Sequence, residues 1–236
     1  MEYYNYIKAL HLIFIVTDVN QSSGSQNQFF GMGNNFDDPH IGFIPSGEVS
    51  YSDKLLIITN TWDFSSNQLM PYNQPLIFSG GIGYTPILST AYNFINGQIN
   101  DDTPTNALNL TYSGTGDFAL GGDSQDLDGS IAEFLIYNTL LSTTDRQKVD
   151  SYLAIKYGLT LSNNYLNSTG STVYTLDGTY NNNIIGIAKD INGSLDQRIS
   201  RSVDDTSNLT LSTDSNFSAN NLSHADTLLD GDHLVF

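Results

Sequence analysis

The sequence predicts an antiparallel β-sandwich that carries one helix at its C-terminal side and is followed by a second, partial β domain. Three observations predict this. Short β-prone runs recur at ~8–12-residue spacing, separated by turn residues, which suits an antiparallel sandwich and not a parallel α/β sheet. Only one stretch of the 236 residues reads as a helix with a start and a stop. Only 14% of residues are charged, so polarity comes from Asn, Ser, Thr, Asp and Gln, the residues that make turns or fit strands.

In order, Ile7 to Thr17 reads as a buried strand and Asp18 to Gln28 as a loop. Phe29 to Gly33 is a short strand ending in Asn34-Asn35-Phe36-Asp37-Asp38-Pro39, a strong turn signal. Ile41 to Ile44 and Lys54 to Thr59 are strands. Asn60 to Gln74 is polar and holds the only tryptophan, Trp62. Leu76 to Phe78 is a strand and Gly80 to Gly83 a flexible link. Ala91 to Ile99 is a hairpin turning at Asn96-Gly97, the strongest short hairpin signal. Asp101 to Ala107 is an exposed loop, with short strands at Leu108 to Tyr112 and Asp117 to Leu120.

Ile131 to Tyr137 is an apolar strand. Ser142, with Asp145 three residues on, is a helix start, because a hydroxyl satisfies orphan N–H groups and a carboxylate suits the positive end of the helix dipole. Val149, Tyr152, Leu153 and Tyr157 form one apolar stripe, and Arg146, Lys148, Asp150 and Lys156 are expected mostly off it. Gly158 is the left-handed stop. The helix therefore spans 143–157, and the domain boundary is expected near Ser162, giving 1–161 and 162–236. Strands of the second domain are expected at Val173 to Leu176, Ile184 to Ala188, Leu209 to Ser212 and Leu234 to Phe236.

The segment SIAEFLIYNTLLSTTDRQKVDSYLAIKYGLTL, from Ser130 to Leu161, resembles the closing part of laminin-G-like (concanavalin A-like) domains in large bacterial surface proteins. There a last strand of the form G-x-IAE-x-x-IYN is followed by L-S, a helix and YLA-x-KYG-L. Tyr92 to Gly97 resembles that family's Y-x-NG hairpin, and Phe118 to Gly122 its penultimate strand. Asn182 to Asp190 and Leu195 to Ser200 resemble an uncharacterised β-rich domain that often follows it. The resemblance implies a concanavalin A-like jelly roll, adhesion or glycan recognition, and placement at the cell surface or outside the cell. It implies no single ligand and no catalytic set. It also implies flanking domains of a larger chain, with the first domain's opening strands before Met1 and an incomplete second domain.

Composition narrows the partners. The net charge is −17, and no Lys or Arg occurs between Lys54 and Arg146. Such a surface repels phosphate backbones, so nucleic acid is not expected as a partner; divalent cations fit better. No apolar run approaches the ~20 residues of a membrane span, and the N-terminus lacks the pattern of a signal peptide. With no cysteine, disulfides and thiolate chemistry are excluded.

Two oxygen-rich loops are candidate calcium sites. In the first, Asp123, Asp126 and Asp128 fall within six residues beside Gly129, and Ca²⁺ takes six to eight oxygens. The EF-hand pattern fails there, since Ser124 stands at its first position and Leu135 at its last. The second loop holds Asn35 and Asp37, flanked by Asn34 and Asp38. The competing reading of both is a solvated acidic turn. Trp62, Tyr72 and Tyr84 are candidate stacking surfaces for sugar rings; the competing reading places Trp62 in the core or at its rim. Catalysis is not expected. No G-x-S-x-G, H-E-x-x-H or P-loop occurs. Glu2, Glu48 and Glu133 are the only glutamates, and the E-x-D-x-x-E signature of glycosidases with this fold is absent. The expectation is a non-catalytic binding module for a glycan or surface protein. The alternatives are a spacer without ligand and a fragment of a carbohydrate-active enzyme.

Overall fold

In a computed structural model, the structure describes residues 12–20, 27–32, 40–44, 54–59, 62–69, 71–84, 89–99, 118–121, 127–139, 141–203, 209–217, 220–225 and 227–236. The chain divides into two compact units. One comprises Met1–Asn73, Phe78–Ile95 and Ile99–Leu140, the other Gln74–Ile77, Asn96–Gln98 and Leu141–Phe236.

The first unit holds two five-stranded sheets, except that Pro75–Ile77 and Gln98 of their strands belong to the second. One has β1 (Leu12–Val19), β6 (Pro75–Tyr84), β7 (Ser89–Ile95), β8 (Gln98–Ile99) and β10 (Gly129–Tyr137), in the order β10-β1-β6-β7-β8. The other has β2 (Asn27–Met32), β3 (His40–Ile44), β4 (Lys54–Thr59), β5 (Trp62–Leu69) and β9 (Phe118–Leu120), in the order β5-β4-β3-β2-β9. The paired strands with a recorded register run antiparallel. The chain thus crosses from the first sheet to the second after β1, returns at β6, crosses again for β9 and closes at β10 against β1.

Aromatic stacking marks the sandwich core. Phe29 stacks on Phe78 and Phe30 on Phe134, with centroids 6.2 and 5.7 Å apart. Neighbours on a regular strand point to opposite faces. Here the pairing of β2 with β3 slips between Gln28 and Phe30, and that bulge turns both rings toward the opposite sheet. Both are buried, as are Phe14 and Ile15.

Several strands differ from the sequence reading. β5 occupies the polar stretch around Trp62, and backbone pairing with β4 holds it as a sheet edge although WDFSSNQL alternates apolar with polar only over Trp62–Ser65. β6 continues through Gly80 to Gly83, because β7 pairs with it as far as Tyr84–Ser89. The Asn96-Gly97 turn is as expected: both residues have positive φ, 49° and 77°, which is what a two-residue hairpin turn of that hand needs.

In the second unit, α1 (Thr143–Tyr157) is capped at Ser142, whose hydroxyl accepts from the Asp145 N–H at 3.1 Å, and ends at Gly158 with φ 68°. Three small sheets complete the unit: β11 (Tyr165–Leu166) with β12 (Thr172–Tyr174), β14 (Leu195–Gln197)-β13 (Gly186–Asp190)-β17 (His233–Val235), and β15 (Ile199–Arg201) with β16 (Thr210–Ser212). The compact units divide before α1, which packs against β11, β13, β14 and β15. The buried face of the helix also differs. Leu153 is buried as expected, but its companions are Arg146, Asp150, Ser151, Ala154 and Ile155, while Val149, Tyr152 and Tyr157 are half-buried. Arg146 and Asp150 can enter this face because each neutralises the other. Ser151 can because its hydroxyl donates to Gln147 O and accepts from Leu166 N.

Candidate functional site at one end of the sandwich

β1 ends at Val19, and three segments meet there. Asn73 N–H donates to Val19 O at 2.7 Å, fixing the turn that carries Tyr72 into β6. Asn20 N–H donates to Asp128 O at 2.9 Å, and its side-chain Nδ2 donates to Asp128 Oδ1 at 2.9 Å. Gly129 lies against Asp18, where a Cβ would come within 2.2 Å of Asp18 O. A larger residue at 129 would therefore push the Asp128 turn off β1. Leu127 N–H donates to Gly121 O, and Gly121 N–H to Phe29 O, so the link before β10 reaches the start of β2 as well.

At this end Tyr72 is half-buried, and Asn20, Asn73 and Asp128 are exposed. Asp18 adds a buried carboxylate oxygen, Oδ1, with no hydrogen-bond partner among the described residues. Asn73 adopts φ 57°, a left-handed conformation that asparagine tolerates better than most residues. Asn20 and Asn73 went unmarked in the sequence reading. Their signal there was weak: each is one polar residue beside a strand end, in a chain crowded with asparagine.

The backbone separates the predicted aromatic residues. Tyr72 precedes β6 and Tyr84 is its tenth and last residue, roughly 30 Å away along an extended strand. Trp62 opens β5 and pairs with Thr59, at the end of β4 opposite to Lys54, which pairs with Ile44 and Leu69. Trp62 and Tyr84 therefore belong to the other end of the sandwich and cannot form one platform with Tyr72. Their side chains are not among the described ones. Asn35, Asp37, Asp123 and Asp126 lie outside the described residues, so of the predicted metal ligands only Asp128 is placed. Among the described residues, no three His, Cys, Asp or Glu side chains gather as a metal-binding group.

In the second unit, His224 is buried, and its Nδ1 lies 2.9 Å from Asp214 Oδ1 and 3.2 Å from Ser212 Oγ. The Asn216 N–H, and after it the His224 ring, hold the Asp214 carboxyl below the ordinary range. This is no proton relay. Ser212 and Asp214 meet the same ring nitrogen, whereas a relay needs them on opposite ones. Among the described residues, the buried Nε2 has no partner.

Residues 145–236 match the profile of a domain of unknown function, DUF8202. The match begins inside α1, four residues after the second unit's long segment starts at Leu141. No curated protein matches the chain. Solved structures with similar coordinates include domain 4 of AbnA, an extracellular arabinanase from Geobacillus stearothermophilus in complex with arabinotriose. It is 18% identical over 58% of this chain and 64% of that one, with a TM-score of 0.43. A Bacteroides ovatus protein described as carbohydrate binding is 11% identical over 57% of this chain and 39% of its own, with a TM-score of 0.46. Trypanosoma rangeli sialidase is 8% identical over 60% and 22%, with a TM-score of 0.42. The chain thus spans less than two thirds of each. Similarities this distant assign it no ligand. Among the described residues, no helix is long and apolar enough to cross a membrane.

Proposed function

We propose that the chain is a non-catalytic, saccharide-binding module of a laminin-G-like type within a longer bacterial surface or secreted protein. The observation that carries the reading is the assembly of Tyr72, Asn73, Asn20 and Asp128 around the end of β1. An aromatic face suits the apolar face of a sugar ring. Amides and a carboxylate supply the donors and acceptors that hydroxyl groups require. The hydrogen bonds to Val19 and between Asn20 and Asp128 fix these segments in advance, which lowers the ordering cost of binding.

A glycan array, followed by titration of any hit, tests this. Binding that Tyr72→Ala and Asp128→Ala each weaken at least tenfold, with unchanged melting temperatures, supports the site. Binding that survives both and disappears in Trp62→Ala moves the site to the opposite end. No binding across diverse glycans favours a spacer.

Calcium belongs to the same proposal, with Asp128 as one ligand. A thermal melt in millimolar calcium and again in chelator tests it separately. A bound ion at a hundredfold excess over its dissociation constant stabilises by ~2.7 kcal/mol. Superimposed melts would remove calcium from the proposal without touching the saccharide reading.

A further inference from the structure

Asn-Gly pairs are the sites where asparagine most readily loses its amide. The glycine nitrogen attacks the asparagine side-chain carbon, and no Cβ obstructs the approach. The sequence holds two such pairs, Asn96-Gly97 and Asn192-Gly193, and the structure treats them differently.

Asn96 is clamped. Its Oδ1 accepts from Ile77 N at 2.8 Å, its own N–H donates to Ile77 O at 2.8 Å, and Gly97 is buried with its carbonyl accepting from Asn163 Nδ2 at 3.0 Å. A carboxamide held on the neighbouring strand is not free to turn back onto its own chain.

Asn192 sits on the exposed turn between β13 and β14, closed by Ser194 N–H donating to Ile191 O at 3.1 Å. Among the described residues its side chain has no hydrogen-bond partner. The nitrogen that would attack it, Gly193 N, donates its hydrogen to Asp190 Oδ1 at 3.0 Å, and Gly193 lies directly against that carboxyl group. A base belongs within hydrogen-bond reach of the proton it removes. Asp190 is itself fixed there by the hydroxyl of Ser168 at 2.6 Å and the N–H of Ser168 at 2.7 Å. Burial opposes its ionisation, but these bonds, the Gly193 N–H and nearby His233 outweigh that and hold its pKa below the ordinary value. The carboxylate is therefore ionised at neutral pH.

We propose that Asn192 is a self-modification site, with Asp190 as the base that positions and deprotonates Gly193. Gly193 N passes its proton toward Asp190 and bonds to Asn192 Cγ. The Cγ–Nδ2 bond breaks, and ammonia leaves with the proton. Water then opens the resulting five-membered imide to aspartate or isoaspartate. Only water is consumed. The product adds one negative charge to a turn that Asp230 already ties down through Ile191 N at 2.9 Å; in the isoaspartate form it also adds one carbon to the main chain there.

The test is incubation of the whole chain at neutral pH with peptide mapping by mass spectrometry, once folded and once in urea. In the folded chain Asn192 is expected to convert at least tenfold faster than Asn96, and at least as fast as Asn192 in the unfolded chain. In urea the two sites should converge. Asp190→Asn, where the variant keeps its fold, should slow Asn192 at least threefold. Folded Asn192 converting no faster than Asn96 would overturn the proposal. So would conversion slower than in urea, because the Gly193–Asp190 bond would then be a lock and not a base.

Discussion

Arg146 donates to Asp150 across one turn of α1 at 2.5 Å, with both side chains inside the second unit, 9% and 0% exposed. Among the described residues, Asp150 Oδ1 has no partner of its own. Burial pushes the Asp150 carboxyl up to about 7 despite the adjacent guanidinium. A folded-state pKa above the unfolded one means the folded chain holds the proton more tightly. Stability from this group is therefore fully present below about pH 4 and is lost as pH rises to about 7. The denaturant midpoint is expected to carry a component that falls between about pH 4 and 7. The double variant Arg146→Met/Asp150→Leu should remove that component and stay within a few kcal/mol of the parent. Asp150→Ala alone should cost ~3–5 kcal/mol, because it leaves a buried charge unpaired. An unchanged pH slope in the double variant would refute the assignment.

Leu153 is 1% exposed on the same face. Truncation to alanine removes buried methyl groups and leaves a cavity beside the strands of the second unit. The expected cost is ~2–5 kcal/mol, read as a shift of the urea midpoint with little change in slope. A shift near zero would place the side chain at the surface.

Gly158 ends α1 with φ 68°, and a Cβ there would lie 1.9 Å from Arg201 O. Two penalties coincide at this residue, the left-handed backbone and a collision with main chain that no rotamer relieves. Gly158→Ala is expected to destabilise by more than ~1 kcal/mol and to accelerate amide exchange at Val203, whose N–H donates to Gly158 O at 3.3 Å. Unchanged exchange would mean that β15 yields without cost.

Tyr165 folds the segment after the helix around one hydroxyl, which donates to Leu159 O at 2.9 Å and accepts from Leu161 N at 3.0 Å. Tyr165→Phe keeps the ring, which packs edge-on to Tyr174 with centroids 5.7 Å apart. It leaves two buried main-chain groups unsatisfied. The expected loss is ~1–3 kcal/mol, checked by thermal melting.

The helix limits, its caps and the Asn-Gly turn were legible in the sequence because each rests on a local rule of backbone chemistry. The buried face of the helix was not. Arg146 and Asp150 belong inside only as a pair, and single-residue hydropathy assigns each to solvent. β5 was illegible for a related reason: its partners lie on β4, and its apolar alternation stops after Trp62 and Phe64. Tyr72 and Asp128 were marked for their chemistry, but their shared place beside Val19 depends on segments more than fifty residues apart. No periodicity in one segment carries that, and the same long-range pairing sends Trp62 and Tyr84 to the other end.

The second unit is not one continuous piece of chain. It includes Gln74–Ile77 and Asn96–Gln98. Ser162 N–H donates to Asn96 O at 2.9 Å and Asn163 Nδ2 to Gly97 O. A recombinant fragment cut to the DUF8202 match would carry those donors without their acceptors, and its exposed seam would invite aggregation. The cut that isolates this unit in sequence is not one that isolates it in space, and a fragment meant to fold alone needs the β7–β8 turn supplied with it.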